Sequence, residues 1–266
     1  MTAPAVRLDI AAGLATLTFN RPEAMNALSP ELRAGFIDAV ERLAQTPGLR
    51  CVVMRGAGTA FMAGGDVKGY HRRIAEDRAA LADDLKERIP RMNRAIEALR
   101  GLPVPVLASV HGAAAGAGMS LMMACDLAIA ADDTVFTLAY ARIGTSPDCS
   151  GSFFLPRLVG LRRAMRIALL SERIDAATAQ EIGLINWVVP AAELEAETAR
   201  IAQKLAAAPT RALAATKALL NQSLDTSLAE QLTAETENFV VCALSDDFAE
   251  GVAAFVDKRK PLYRGG

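Results

Sequence analysis

The chain switches repeatedly between apolar residues at every second position and apolar residues at every third or fourth. Leu14-Ala-Thr-Leu-Thr-Phe19 predicts a strand, closed by Asn20-Arg-Pro22. Ser29 followed by Pro30 is a preferred cap and first position for a helix, and Leu32, Phe36, Val40 and Leu43 then recur at helical spacing. Cys51-Val-Val-Met-Arg55 and Pro103-Val-Pro-Val-Leu-Ala-Ser-Val110 read as buried strands. Between them, residues 78–100 predict a charged helix with Leu81, Leu85, Met92, Ile96 and Leu99 on roughly one face.

The same alternation continues downstream. A helix is expected to begin near Ala117 and end by Cys125, with short strands at 127–130 and around Phe136. Gly160 opens a helix over 161–170, and Asp175 caps a short one stopped by Gly183. Trp187-Val-Val189 is the last predicted strand. Helices are expected at 193–207, 210–220, 227–244 and 247–258. Strands alternating with helices imply an α/β core. The pattern divides the chain into a core at 1–195 and a helical region at 196–266.

Composition narrows the function classes. Apolar residues make up 52% of 266, enough for a substantial core. Lys plus Arg (29) nearly balance Asp plus Glu (30), which argues against nucleic acid or an anionic membrane as partner. Cys51, Cys125, Cys149 and Cys242 are widely spaced, without a CxxC pair, as in a reducing compartment without a disulfide framework or metal site. The N-terminus lacks an apolar signal core, and the uncharged stretch 112–125 is too short to span a bilayer. A cytoplasmic protein is expected.

Two segments carry the candidate chemistry. Met62-Ala-Gly-Gly-Asp66 and Gly112-Ala-Ala-Ala-Gly-Ala-Gly118 each follow a buried strand and are nearly bare of side chains. Such loops let the main chain approach a ligand and aim two peptide N–H groups at one oxygen on which charge develops.

These segments resemble the crotonase superfamily, the enoyl-CoA hydratase/isomerase family. The similarity also covers Asn20-Arg-Pro-Glu-Ala-Met-Asn-Ala-Leu28, Phe61-Met-Ala-Gly-Gly-Asp-Val-Lys68, Cys125-Asp126, Leu155-Pro-Arg-Leu-Val-Gly160, Ala179-Gln-Glu-Ile-Gly-Leu184 and 250–259, essentially end to end. The resemblance implies a spiral of ββα units with a C-terminal helical region used in trimer formation, as a trimer or a hexamer of two trimers. It implies an acyl-CoA thioester as substrate, with coenzyme A part of that substrate and no separate cofactor. By motif position, the oxyanion donors are the main-chain N–H groups of Gly65 and Ala117. Main chain around Ala24–Ala27, together with Ala63 and Asp66, falls in the implied substrate-binding set. Lys68, and Phe255 and Lys258 from a neighbouring subunit, match positions that approach the nucleotide.

The acids distinguish among family chemistries. A hydratase benefits from two carboxyl groups, one for the water and one for the α-carbon proton. In the resembling hydratases these are glutamates, and here their places hold Ser120 and Tyr140. Asp148, in Ile143-Gly-Thr-Ser-Pro-Asp-Cys-Ser-Gly-Ser152, is a carboxylate set among small and apolar residues. Its stretch is similar to the ring 1,2-epoxyphenylacetyl-CoA isomerases of phenylacetate breakdown, whose acid is an aspartate there; Ser150 replaces their usual glycine. Double-bond or ring isomerisation with Asp148 as acid/base and Tyr140 as a hydrogen-bonding partner of the substrate is the leading expectation. A hydratase with a replaced acid, a dehalogenase or hydrolase using Asp148 as nucleophile, and a non-catalytic CoA-ester-binding subunit are the alternatives. Asn93 stands where related dehalogenases carry a histidine, which counts against the nucleophile reading.

The remaining candidates are weaker. Asp148 also admits a turn reading, its side chain bonding the following amides. Ser120 lacks a G-x-S-x-G turn, His111 reads as a loop-holding side chain, and His71 as a surface residue. Residues 68–78 read as a mobile loop at the pocket mouth, shaping the acyl pocket together with Phe153 and Phe154.

Overall fold

A computed structural model describes residues 3–265. Among the described residues nine strands run β1 (Val6–Ala11), β2 (Leu14–Phe19), β3 (Cys51–Gly56), β4 (Val106–Val110), β5 (Ala113–Ala115), β6 (Leu127–Ala131), β7 (Val135–Thr137), β8 (Ile174–Asp175) and β9 (Trp187–Val189). The helices are α1 (Pro30–Ala44), α2 (Val67–Glu76), α3 (Arg78–Gly101), α4 (Ala117–Met123), α5 (Gly151–Val159), α6 (Leu161–Leu170), α7 (Ala176–Glu181), α8 (Leu194–Ala206), α9 (Thr210–Gln222), α10 (Leu228–Ala243) and α11 (Asp246–Val256).

The larger sheet has the order β1-β2-β3-β4-β6-β9, antiparallel at β1-β2 and parallel from there on. A smaller sheet, β5-β7-β8, stands beside it. The central strands are apolar throughout because both their faces are covered. Val52 and Met54 of β3 face the main core with α1 and α3, while Cys51 and Val53 face a second cluster with Leu194, Ile201 and Ala202 of α8. This is the α/β architecture expected, with helices α8 to α11 following the last strand.

Caps form where the sequence provides them. Ser29 accepts from the Leu32 N–H with Pro30 first in α1, Asp175 accepts from Thr178, and Ser227 with Glu230 makes a capping box on α10. The Cys125-Asp126 motif ties three segments together. Asp126 takes Arg100 at 2.7 Å, Lys217 at 2.8 Å and the Val106 N–H at 2.8 Å, so the end of α3, strand β4 and helix α9 meet at one carboxylate. Burial lowers the Lys217 pKa, and the Asp126 charge beside it opposes that shift.

Two expectations change. Residues 68–78 are the helix α2 and the start of α3, not a loop: Asp66 caps α2 through the Gly69 N–H and Asp77 caps α3 through Ala79 and Ala80. Val67, Tyr70 and Ile74 do recur at helical spacing, but the segment is short and otherwise polar, none of its residues is fully buried, and packing against α3 holds it. Helix α5, with Pro156 inside it, also went unpredicted, as did β1, β5 and β8. Among the described residues no helix is long and apolar enough to cross a membrane.

Candidate active site

The two glycine-rich segments lie side by side. Met62 bridges Ala114 in parallel, with Met62 N–H on Ala113 O at 3.0 Å and Ala115 N–H on Met62 O at 2.9 Å. Three residues beyond that bridge on each segment stand Gly65 and Ala117. The approach is main chain to main chain: a Cβ on Gly118 would sit 2.3 Å from the Met62 oxygen, and one on Gly116 would sit 3.6 Å from the Gly64 Cα. Upstream, His111 Nε2 meets the Gly58 carbonyl at 2.9 Å and the Phe61 N–H donates to the His111 carbonyl. His111 thus holds the loop, as read from sequence.

The amides of Gly65 and Ala117 donate to no acceptor among the described residues. For Ala117 the reason is positional, since the first N–H groups of a helix have no intrahelical acceptor. Its helix is fully buried. Beside Gly65 packs Tyr70 of α2, whose ring lies 3.3 Å from where a Cβ would stand.

A second pairing brings the N-terminal segment alongside. Ala63 N–H donates to Met25 O at 2.9 Å and Leu28 N–H to Gly64 O at 2.7 Å, which sets Ala24–Ala27 against Ala63, Gly65 and Asp66. Asn26, fully buried, clamps this segment through hydrogen bonds from Nδ2 to the Ala57, Ala60 and Phe61 carbonyls. A groove of about 1060 Å³ opens there, walled in part by Arg21, Leu28, Asp66, Tyr70, Arg73 and Arg88. Lys68 is exposed at the second position of α2. Phe255 and Lys258 are exposed near the C-terminus; Phe255 lines a separate depression with Pro209, Phe248 and Tyr263. Within one chain they do not join the site.

The side-chain half centres on Asp148. Tyr140 donates its phenol to Asp148 Oδ1 at 2.6 Å, and Ser120 Oγ lies 3.2 Å from the same phenol oxygen. Ser120 and Tyr140 therefore bond one another, and the chain ends on the aspartate. Burial first, and the Asp148 charge second, push the Tyr140 phenol far above its ordinary pKa, so it stays a donor. The turn reading fails for the side chain: Gly151 N–H takes the Asp148 main-chain carbonyl, while the carboxylate takes Tyr140. Cys149 and Ser150, directly after it, both adopt left-handed backbone at φ 50 and 70. Burial raises the Cys149 thiol well above its usual pKa, leaving it unreactive as a thiolate.

Asp148 borders a small cavity of about 20 Å³ together with Leu28, Arg33, Tyr70, Arg88 and Asn93. Leu28, Tyr70 and Arg88 also wall the larger groove, so the two spaces adjoin. Phe153 and Phe154 do not border this cavity. The Phe153 ring stacks under Arg157 at 3.6 Å, and Phe154 packs beneath Arg100 at 5.2 Å. Helix α5 turns them toward these arginines. Tyr70, Arg33 and Arg88 escaped the sequence reading because neither spacing nor motif marks them. Among the described residues no cluster of three or more His, Cys, Asp or Glu is arranged to hold a metal ion.

The comparisons agree with this architecture. The model of the enoyl-CoA hydratase/isomerase family matches residues 9–266. A Rhodobacter capsulatus protein named "Probable enoyl-CoA hydratase" is 39% identical over 260 residues, covering 98% of each chain. The 1,2-epoxyphenylacetyl-CoA isomerase of Escherichia coli is 37% identical over 255 residues, 95% of each. The crystal structure of an enoyl-CoA hydratase from Polaromonas superposes with a TM-score of 0.89 at 36% identity, over 97% of this chain and 99% of that one. The chain belongs to the enoyl-CoA hydratase/isomerase family and has the crotonase fold.

Proposed function

We propose that the protein isomerises the double bond of an enoyl-CoA thioester with Asp148 as the single acid/base. The thioester carbonyl oxygen accepts from the Gly65 and Ala117 N–H groups. Asp148 takes a proton from C2 of a 3-enoyl-CoA, the C2 electron pair delocalises into the carbonyl, and charge accumulates on the oxygen between the two amides. The protonated Asp148 then returns the same proton at C4, leaving the double bond between C2 and C3. One carboxyl group serves both transfers, and no water or second acid is consumed. Tyr140 holds Oδ1, which leaves Oδ2 as the atom that exchanges the proton.

The observation that carries this reading is the Ser120–Tyr140–Asp148 chain. Hydration needs a pair of acids, and here the two glutamate places are occupied by neutral hydroxyls spent on orienting a third residue. The names of the relatives divide between hydratase and isomerase, so the residues, not the names, support the choice. In this reading Asp66 contacts the CoA arm from the groove, and Ala24, Ala27 and Ala63, which do not wall it, contact the arm from the paired segments beside it. Lys68, with Phe255 and Lys258 of a neighbouring subunit, approaches the nucleotide, which requires an oligomer; light scattering of the purified protein at trimer or hexamer mass is the expected result.

The test is Asp148→Asn, with 3-enoyl-CoA conversion followed by absorbance of the conjugated 2-enoyl product. Loss of about 10²–10⁴-fold in kcat is expected. Unchanged turnover in the variant, or faster loss of a 2-enoyl-CoA by hydration than gain of one from a 3-enoyl-CoA in the wild type, overturns the reading.

A further inference from the structure

Three side chains wall both the groove and the small cavity at Asp148: Leu28, Tyr70 and Arg88. Of these, only Tyr70 also stands within 4 Å of where a Cβ on Gly65 would lie, with its ring at 3.3 Å. The ring therefore sits where the main-chain half of the site meets the acid. Its position is set locally. Asp66, directly after Gly65, caps α2 through the Gly69 N–H at 3.0 Å, and the Tyr70 N–H donates to the Asp66 carbonyl at 3.0 Å. One tight turn thus carries the Gly65 amide and the aromatic ring together. The ring also lies under the Arg88 guanidinium at 5.1 Å, and Arg88, only 12% exposed, is anchored on Asp84 at 3.1 Å. Burial raises the Tyr70 phenol pKa; Arg88 opposes that shift, the Asp148 charge adds to it, and no hydrogen bond to the hydroxyl contributes.

At about 20 Å³, the space beside Asp148 has room for one small group: part of an acyl chain or a single water, not both. Which of them enters matters to the chemistry. The product of the proposed isomerisation is a 2-enoyl thioester, which adds water at C3 once a base activates that water. A single carboxylate suffices for this addition. It takes a proton from the water as the water oxygen bonds to C3, the C2–C3 π pair moves into the thioester carbonyl, and the same proton then passes from the carboxyl group to C2. An acid placed to isomerise is therefore also placed to hydrate, unless water is kept out.

We infer that the Tyr70 ring bars water from the acyl chain beside Asp148, and that this residue decides between isomerisation and hydration. The inference rests on the isomerase reading and deepens it. The ring carries the effect and the hydroxyl does not, because the hydroxyl is engaged by no partner while the ring separates cavity from groove. Without the ring the two spaces merge into one bordered by Asp148, Arg33 and Asn93, roomy and polar enough to hold a water next to the substrate.

Product analysis tests this. The purified protein is given a 3-enoyl-CoA or its 2-enoyl isomer, and the 2-enoyl and 3-hydroxyacyl products are separated by chromatography and identified by mass. The wild type is expected to turn the 3-enoyl ester into 2-enoyl product with little 3-hydroxyacyl-CoA. Tyr70→Ala is expected to raise the ratio of hydration to isomerisation about tenfold or more, the range over which one pocket contact changes discrimination. Tyr70→Phe keeps the ring and is expected to keep the wild-type ratio. Thermal melts check that the variants fold, and Tyr70→Leu carries the same expectation as Tyr70→Ala should that variant unfold. An unchanged product ratio in the folded small-residue variant overturns the inference. Loss of both reactions there also overturns it, because the ring would then hold the substrate instead of excluding water. A Tyr70→Phe protein that hydrates as well as Tyr70→Ala does the same, since the hydroxyl would then be the deciding group. A wild type that makes no 2-enoyl product from the 3-enoyl ester brings down the isomerase reading itself, whatever the variants do.

Discussion

The site is assembled from two halves built on different physics. The half around Gly65 and Ala117 is main chain: a parallel bridge at Met62 and Ala114, glycines at close approaches, and two N–H groups without acceptors. The half around Asp148 is side chain: Ser120 to Tyr140 to the carboxylate, with Arg33 and Arg88 beyond. Main-chain donors do not depend on which side chains surround them, so the first half suits any acyl thioester that gathers charge on its oxygen. Side chains decide where protons go and what tail fits. In the proposed reading, one half serves the thioester common to the family and the other the particular reaction.

Breaking the main-chain half should have the largest effect. Gly118→Ala places a methyl 2.3 Å from the Met62 carbonyl oxygen, which is backbone on a paired segment and has nowhere to move. Overpacking of this kind is expected to cost about 3 kcal/mol in denaturant unfolding and to abolish activity. Gly65→Ala is the control, because its methyl would meet only the Tyr70 ring, at 3.3 Å, and a side chain can yield. A Gly118→Ala protein with wild-type stability would show that the two loops are not held in fixed contact.

The contrast also explains what could be read from the sequence. Gly112, Gly116 and Gly118 were legible because a missing Cβ at a close approach leaves a mark at that position itself. Strands β3 and β4 were legible for a related reason, since burial on both faces writes an unbroken apolar run. Asp148 could be found as an acid in an otherwise apolar stretch. Tyr140 as its donor could not be derived, because that contact joins a tight turn to a loop eight residues on through a geometry no spacing encodes. Arg33 and Arg88 were invisible for the same reason: on α1 and α3 they read as ordinary solvated positions. Helix α2 carries Val67, Tyr70 and Ile74 at helical spacing, but over a run too short and too polar to stand out from a loop.

Removing one hydroxyl probes the side-chain half more gently. Tyr140→Phe deletes the 2.6 Å donor on Asp148 while keeping the ring. Without that donor the carboxylate loses the group that fixes its orientation, and kcat is expected to fall about tenfold, as for loss of one hydrogen bond to a charged group. In the wild type no phenol limb is expected near pH 10, since burial and the Asp148 charge keep Tyr140 protonated well beyond it. Wild-type kcat in Tyr140→Phe would make Tyr140 a packing residue, not the group that holds the carboxylate.

The smallest effect asks whether strain also helps aim Asp148. Cys149 and Ser150 are consecutive non-glycine residues in the left-handed region, at φ 50 and 70. That conformation costs an L-residue about 1–2 kcal/mol, against about 0.5–1 kcal/mol of extra unfolded-chain entropy for glycine. Ser150→Gly is therefore expected to raise stability by about 0.5–1 kcal/mol in urea unfolding. The Tyr140 hydrogen bond does not pass through Ser150, so kcat should stay unchanged. A variant that gains stability and loses turnover would mean that the strained turn, as well as the phenol, sets the carboxylate in place. The side-chain half would then depend on backbone geometry after all, and the division between the two halves would narrow to the two amides alone.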